Sequence, residues 1–267
     1  MRMIAELMNL RGRTALITGA TGGIGQEIAL TIAELGGNLI LVDRPGTDYS
    51  IIKQKILDNW NVQIDFMDCD LENEVERNKL IENVSKGGYG LDVLINNAAF
   101  VGDSSLEGWV TDFEHQSIET WRRAIEVNLT SVFHLSQGFF PLLKKSQVSS
   151  IINIASIYAV NGPDYSLYNG TDMGNPAAYA ASKGGLVQLT RWLATTLAPD
   201  IRVNAISPGG VIRSQPRDFI ERYNSRTPLG RMATEEDFKG AIAFLASNLS
   251  SYMTGQNLLI DGGWTTW

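Results

Sequence analysis

Residues 14–25, Thr14-Ala-Leu-Ile-Thr18-Gly19-Ala-Thr21-Gly22-Gly23-Ile24-Gly25, decide the fold of this chain. Thr14–Thr18 is a short apolar run that stops at glycine, as a buried parallel strand does. Beyond the glycines, Ile28, Ala29, Ile32, Ala33 and Leu35 recur at helical spacing. Strand, glycine loop and helix in immediate succession are the context that gives a glycine pattern meaning. Glycines let the backbone approach a pyrophosphate closely, and the helix N-terminus behind them offers amide donors and a favourable dipole. Gly19, Thr21, Gly22, Gly23, Ile24 and Gly25 are therefore candidate contacts for a dinucleotide.

Working outward, residues 38–42 read as a second strand that ends at Asp43, 24 residues after Gly19. The ribose-binding acid of a dinucleotide fold falls near that point. A carboxylate there accepts hydrogen bonds from ribose hydroxyls and repels a 2′-phosphate, which favours NAD over NADP. Arg44 beside it could stack on adenine or meet a phosphate, so NADP stays open as the less favoured cofactor.

A helix over about 48–60 leads to a third strand, 62–66, and Asp68-Cys69-Asp70-Leu71 opens the next helix. Asp70 reads either as its cap or, with Leu71, as a contact for the adenine amino group. Residues 91–95 form a fourth strand that ends in Asn96-Asn97-Ala98-Ala99. Small residues there let a ribose lie against the backbone, and the asparagines can pin strand ends. Residues 100–116 lack a clean period and read as a loop. A long helix follows over about 117–145, with Trp121, Ile125, Leu129, Val132, Phe133 and Leu135 as its apolar stripe and Asn128 inside it. A polar side chain in such a stripe must find a partner.

Residues 150–155 form a fifth strand with Ser156 at its carboxyl end, where open α/β sheets bind their ligands. Just after Pro176, Tyr179-Ala-Ala-Ser-Lys183 starts an amphipathic helix, with Tyr179 and Lys183 one turn apart on one face. A free tyrosine titrates near pH 10 and is a poor base at neutrality. An ammonium close by favours the phenolate, so Lys183 is expected to lower the Tyr179 pKa and fit it for proton exchange with a substrate hydroxyl. A sixth strand, 201–206, ends in Ser207-Pro208-Gly209-Gly210-Val211; a polar segment runs to 233, a helix covers about 234–247, and Asn257–Ile260 is a seventh strand. Strands and helices alternate without a composition break, which predicts one doubly wound α/β domain over 1–267.

The totals agree. With 267 residues, 44% hydrophobic and 19% charged, the chain can bury a large core. A net charge of -7 argues against nucleic acid or an anionic membrane as partner. One cysteine, Cys69, and two isolated histidines, His115 and His134, exclude an intrachain disulfide and make no metal site. Residues 1–6 carry an acid and lack a long apolar core, and no run reaches a membrane span, so a cytoplasmic location is expected.

In order along the chain, Thr18-Gly19-x-x-x-Gly23-x-Gly25, Asn96-Asn97-Ala98, Asn128, Ser156, Tyr179-x-x-x-Lys183 and Pro208-Gly209 resemble the signature of the short-chain dehydrogenase/reductase family, single-domain branch. The likeness covers roughly residues 10–263. It implies a Rossmann-like, seven-stranded parallel sheet of order 3-2-1-4-5-6-7 and hydride exchange between NAD(H) and a secondary alcohol or ketone. It also implies Tyr179 as acid/base, Lys183 on the nicotinamide ribose, Ser156 on the reacting oxygen and Asn128 in a water-linked proton relay. Pro208, Gly209 and Val211 would complete the cofactor site. Family members commonly pair the helices from 117 and 176 into a bundle between subunits, which implies a homodimer or homotetramer. The tail Trp264-Thr-Thr-Trp267 is read as an intersubunit contact, or as packed within its own subunit.

Three departures bear on substrate. Ser156 and Tyr179 stand 23 residues apart, more than the family usually shows, and the excess lies in a polar, turn-rich stretch over 160–175. The 100–116 loop is long as well. With 207–233, these segments (100–116 and 157–175) are read as substrate loops, a polar lid for a sugar or sugar acid, or else as surface decoration. The pattern resembles members of surface-glycan and flagellin-modification pathways. Third, the family's usual threonine five residues after the proline is Arg213 here, followed by Ser214; it is read as meeting a substrate carboxylate or phosphate, or as solvated. Ala99 replaces the glycine of the Asn-Asn-Ala-Gly pattern. The alternatives are a reductase of a 3-oxoacyl or other small ketone and a non-catalytic NAD-binding regulator. An acyl carrier would call for a basic docking patch, which the charge of -7 does not favour.

Overall fold

The computed structural model describes residues 1–102 and 105–267. Helix α1 (Ile4–Met8) precedes strand β1 (Thr14–Thr18), and α2 (Gly23–Glu34), β2 (Asn38–Asp43), α3 (Ser50–Asn59), β3 (Ile64–Asp68), α4 (Glu74–Lys86) and β4 (Val93–Asn96) follow. The second half holds α5 (Ile118–Ile125), α6 (Ser131–Leu143), β5 (Ser149–Ile154), α7 (Ala177–Leu197), β6 (Ile201–Pro208), α8 (Arg217–Arg226), α9 (Lys239–Ala246) and β7 (Asn257–Ile260). The strands form one all-parallel sheet in the order 3-2-1-4-5-6-7. This is the Rossmann-like order that the family resemblance implies.

Alternation along each strand sends side chains to two cores. On β1, Ala15 and Ile17 pack with Ile28 and Ile32 of α2, Ile56 of α3 and Leu245 of α9. Leu16 points the other way, to Leu80 of α4, Phe139 of α6 and Leu193 of α7. Both faces of the sheet are covered, which is why the central strands read as unbroken apolar runs rather than alternating ones. The parallel register sets Thr18 beside Val42 and Asn96 beside Asn153, so the carboxyl ends of β1, β2, β4 and β5 share one edge.

Some boundaries differ from expectation. β3 starts two residues later than position 62, and a 3-10 turn, Glu235–Phe238, precedes α9. The helix over 117–145 is interrupted: a π-helical turn, Glu126–Thr130, separates α5 from α6. The turn rotates the stripe, leaving Trp121 and Phe133 38% and 40% exposed while Val132 and Leu135 stay in the core. Asp70 does not cap α4; Asn73 does, its Oδ1 accepting from the amides of Val75 and Glu76. Asp70 Oδ1 accepts instead from Glu72 N at 3.0 Å, in the turn before the helix. Among the described residues, no helix is long and apolar enough to cross a membrane.

Candidate active site

The glycine loop closes on itself and on the end of β4. Gly19 sits at φ 64°, and a Cβ there would lie 2.8 Å from Ala98 Cα. At Gly25 a Cβ would come within 2.0 Å of Gly19 O, so neither position admits a side chain. Asn97 Nδ2 donates to Thr18 O and Gly19 O at 3.0 Å each, and Thr18 Oγ1 accepts from the amides of Asn97 and Ala98 at 3.1 Å. Asn96 Nδ2 donates to Asn153 Oδ1, tying β4 to β5. The asparagines thus pin the strand ends as expected. Gly22, at the N-cap of α2, supplies no side-chain cap, which leaves the first amides of the helix facing the loop. Such a bare cradle with a helix dipole behind it fits a dinucleotide diphosphate.

Asp43 ends β2 at the same edge. Its Oδ2 accepts from Thr21 N and Thr21 Oγ1 at 2.9 and 2.7 Å, and its Oδ1 from Arg44 N at 2.9 Å. Behind the neighbouring wall, buried Arg77 donates to Leu71 O, to Glu126 Oε1 at 2.6 Å and to His134 Nδ1 at 3.1 Å. This network holds the Asp70–Leu71 turn from below, a role that no local pattern around residue 77 reveals.

Across the cleft, Ser156 follows β5, and Tyr179 and Lys183 stand on the first two turns of α7. Ser156 Oγ accepts from Tyr158 N at 3.2 Å, and its hydroxyl lies near enough to the Tyr179 phenol to favour the phenolate. Lys183 Nζ donates to Ile154 O at 2.7 Å and lies 5.9 Å from the Tyr179 ring centroid. Burial lowers the Lys183 pKa from 10.5 to about 8. The Tyr179 ring keeps partial exposure to the cleft, but the protein around it pushes its phenol up, and the Ser156 hydroxyl only opposes this. The expected depression by Lys183 is therefore reversed within the protein alone. Desolvation penalises the phenolate, and the ammonium is turned toward a carbonyl.

Asn128 is 1% exposed and lies in the π-helical turn. Its Oδ1 accepts from Phe100 N at 2.6 Å, while Nδ2 donates to Phe100 O at 3.1 Å and Ser182 Oγ at 3.0 Å. The side chain thus ties the start of the 100–116 loop to α7.

One cleft of about 1100 Å3 is lined by Ser156, Tyr179 and Lys183, by the glycine loop, and by Asp43, Arg44, Asp70, Leu71, Asn97, Ala98, Ala99, Pro208, Gly209 and Val211. Asn128 sits behind its wall. Of the three long loops, Phe100–Gly102 with Leu106, Tyr158 with 173–175, and Arg213 with Gln215 reach the same cleft. Residues 103 and 104 of the first loop lie outside the described residues.

Tyr158 and Asn175 are among the lining residues that sequence reasoning passed over. Tyr158 bonds its hydroxyl to Tyr168 Oη at 2.5 Å, and burial raises its pKa. Asn175 is 7% exposed, with neither amide atom partnered. Tyr158, two residues past Ser156 at a strand end, was findable; Asn175 was not.

Part of the tail packs within its own chain. Trp264 is buried, stacked on Tyr223 at 4.3 Å with Arg226 5.3 Å from its ring; Trp267 remains exposed. Arg222 of α8 donates to Leu167 O and Asn169 O, so the long 157–175 segment packs on α8 beside this tail.

The enoyl-(acyl carrier protein) reductase family profile matches residues 19–265. The chain belongs to the short-chain dehydrogenase/reductase family. A tropinone reductase homolog of Arabidopsis thaliana is 35% identical, over 96% of this chain and 94% of that protein. A short-chain dehydrogenase of Leptospira borgpetersenii, solved with bound NAD+, superposes with a TM-score of 0.83 at 35% identity, covering 99% of this chain and 96% of that one. A putative NAD(P)-dependent gluconate 5-dehydrogenase of Beutenbergia cavernae, solved with bound NADP at low occupancy, gives 0.85 at 32% identity, covering 98% and 100%. Membership makes the chain an oxidoreductase of CH–OH or ketone groups with a nicotinamide cofactor.

Proposed function

We propose that the chain exchanges a hydride between NAD(H) and a secondary alcohol or ketone on a small polar substrate, sugar-like or a sugar acid, with Tyr179 as acid/base. The observation that carries this reading is that Ser156, Tyr179 and Lys183 line one cleft with the glycine loop, with Lys183 Nζ 5.9 Å from the Tyr179 ring. The nicotinamide supplies or accepts the hydride. Ser156 orients the substrate oxygen, and Tyr179 passes the proton to or from it. The buried phenol favours its protonated form, the form that donates to a ketone oxygen. Lys183, held by Ile154 O, faces the side where a ribose would lie, and Asn128 fixes the helix that carries Tyr179 and stands in the proton relay.

Asp43 supports NAD over NADP, because a 2′-phosphate would meet a carboxylate already turned toward the cleft by Thr21. Asn175 supports the polar substrate: a buried amide with a free donor and a free acceptor suits a hydroxyl or carboxylate neighbour. The three loops then act as substrate loops, and the gluconate 5-dehydrogenase among the similar structures agrees with a sugar acid. Trp121, Phe133 and Trp192, exposed on α5, α6 and α7, support a dimer or tetramer. A 3-oxoacyl thioester is the second reading, favoured by a 3-oxoacyl-[acyl-carrier-protein] reductase among the similar proteins.

The test is NADH formation with polyols, sugars, sugar acids and nucleotide-sugars, run beside NADP, and NADH oxidation with acetoacetyl thioesters. Tyr179→Phe should lower turnover at least about 100-fold and leave NAD affinity within about threefold. Activity confined to thioesters would move the assignment to the second reading. Wild-type turnover by Tyr179→Phe would remove the acid/base assignment.

A further inference from the structure

Arg213 stands where the family usually has threonine, and the chain around it is tied down. Ile212 N donates to Ala233 O at 2.8 Å, Arg213 N donates to Gln215 Oε1 at 2.6 Å, and Gln215 Nε2 donates to Val211 O at 2.8 Å. The side chain reaches back across the cleft to the glycine loop. Its guanidinium pairs with Glu235 Oε1 at 3.0 Å directly over Gly23. A Cβ on Gly23 would lie 2.5 Å from both terminal guanidinium nitrogens and from Glu235 Oε1. The ion pair therefore rests on the first residue of α2, beside the uncapped amides of its N-terminus. It is half exposed, so its geometry is held weakly and can be exchanged for a stronger partner.

We propose that Arg213 is a diphosphate clamp that leaves Glu235 for the phosphates of the bound dinucleotide, with Glu235 as its resting partner. This rests on the reading that the glycine loop takes a dinucleotide diphosphate. A guanidinium presents a planar fork of donors that matches phosphate oxygens two at a time, which threonine cannot do. The position of the fork over Gly23, rather than deeper beside Tyr179, assigns it to phosphate and not to a substrate carboxylate. Gly23 is then glycine for this residue as well as for the ligand, since any side chain would displace the guanidinium. Glu235 keeps the cation over the loop and competes with the ligand for it.

Calorimetric titration with NAD+, ADP-ribose and adenosine tests this on the full chain. Arg213→Ala should weaken NAD+ and ADP-ribose equally, by about tenfold, and leave adenosine, which has no phosphate, unchanged. Arg213→Lys should lose less than Arg213→Ala, and Glu235→Gln should bind ADP-ribose as tightly as wild type or a few-fold tighter. Loss confined to NAD+ would place Arg213 on the nicotinamide side and overturn the clamp. Equal weakening by Glu235→Gln and Arg213→Ala would reduce the pair to a structural contact and overturn it too. If wild type binds ADP-ribose and Arg213→Ala does not change it, the clamp alone fails. If wild type binds neither nucleotide, the cofactor reading fails with it. Thermal unfolding of each variant checks that the fold is intact.

Discussion

Replacing Lys183 by methionine should make the cofactor-free protein more stable at pH 7 and abolish turnover. Burial lowers the Lys183 pKa from 10.5 to about 8. Moving a pKa by one pH unit corresponds to about 1.4 kcal/mol, so holding the charged form inside costs about 3 kcal/mol at neutral pH. Methionine removes that cost but orphans the Ile154 carbonyl, which now accepts from Nζ; the loss is about 1–2 kcal/mol. The net gain is about 1–2 kcal/mol, or about 2–4 °C in Tm for a chain of this size. Between pH 8 and 10.5 the unfolded chain binds this proton and the folded chain does not, so wild-type stability from this group rises with pH. By pH 9.5 the cost has fallen to about 1.5 kcal/mol, and the advantage of the variant should vanish. Urea unfolding of both proteins at pH 7 and 9.5 isolates the effect, since other titrating groups cancel in the difference. A variant less stable than wild type at pH 7, or a gap that does not change with pH, would refute the reasoning. A confirmed gain would mark Lys183 as a residue kept for chemistry at the expense of stability.

Asp43→Ser should lower the ratio of kcat/KM for NAD over NADP at least about tenfold, because it removes the carboxylate that lines the cleft beside Thr21; an unchanged ratio would mean that Asp43 serves only to anchor Thr21. Trp264→Ala should cost about 3 kcal/mol and about 6 °C in Tm, since the ring is buried against Tyr223. The same change should raise substrate KM, because Tyr223 Oη accepts from Gly210 N at 2.6 Å and so fixes the start of the 207–233 segment. A Tm within about 2 °C of wild type would deny the tail its stabilising role.

The features legible in the sequence were those set by neighbours along the chain. Residues 14–25 displayed strand, loop and helix in one line, and the parallel sheet follows from such units repeated. The site was legible because its parts stand at strand ends or one helical turn apart, as Ser156 does after β5 and Tyr179 does above Lys183. Local details drifted where hydrogen bonding outvoted pattern, as where Asn73 took the cap for which Asp70 was one candidate. The direction in which the Tyr179 pKa moves was missed because spacing shows that an ammonium is near but not how much protein surrounds the phenol. Arg77 was invisible for a similar reason: its partners Glu126 and His134 lie on remote segments, and no periodicity marks it.

Arg213 shows where a departure from a family pattern carries more information than agreement with it. The motif says only that a threonine is missing, and a missing contact alone suggests a weakened site. The tertiary geometry turns the side chain through the cleft to Gly23 and supplies it with an acid to rest on. Two residues that look unrelated in the sequence, Arg213 and Glu235, are one interaction in space. A cation over the phosphate loop and a carboxylate that restrains it form an opposed pair, and opposed pairs set how readily a ligand leaves as well as how tightly it binds. On the clamp proposal, loss of the threonine moves the cofactor contact from the nicotinamide end of the cleft to the diphosphate.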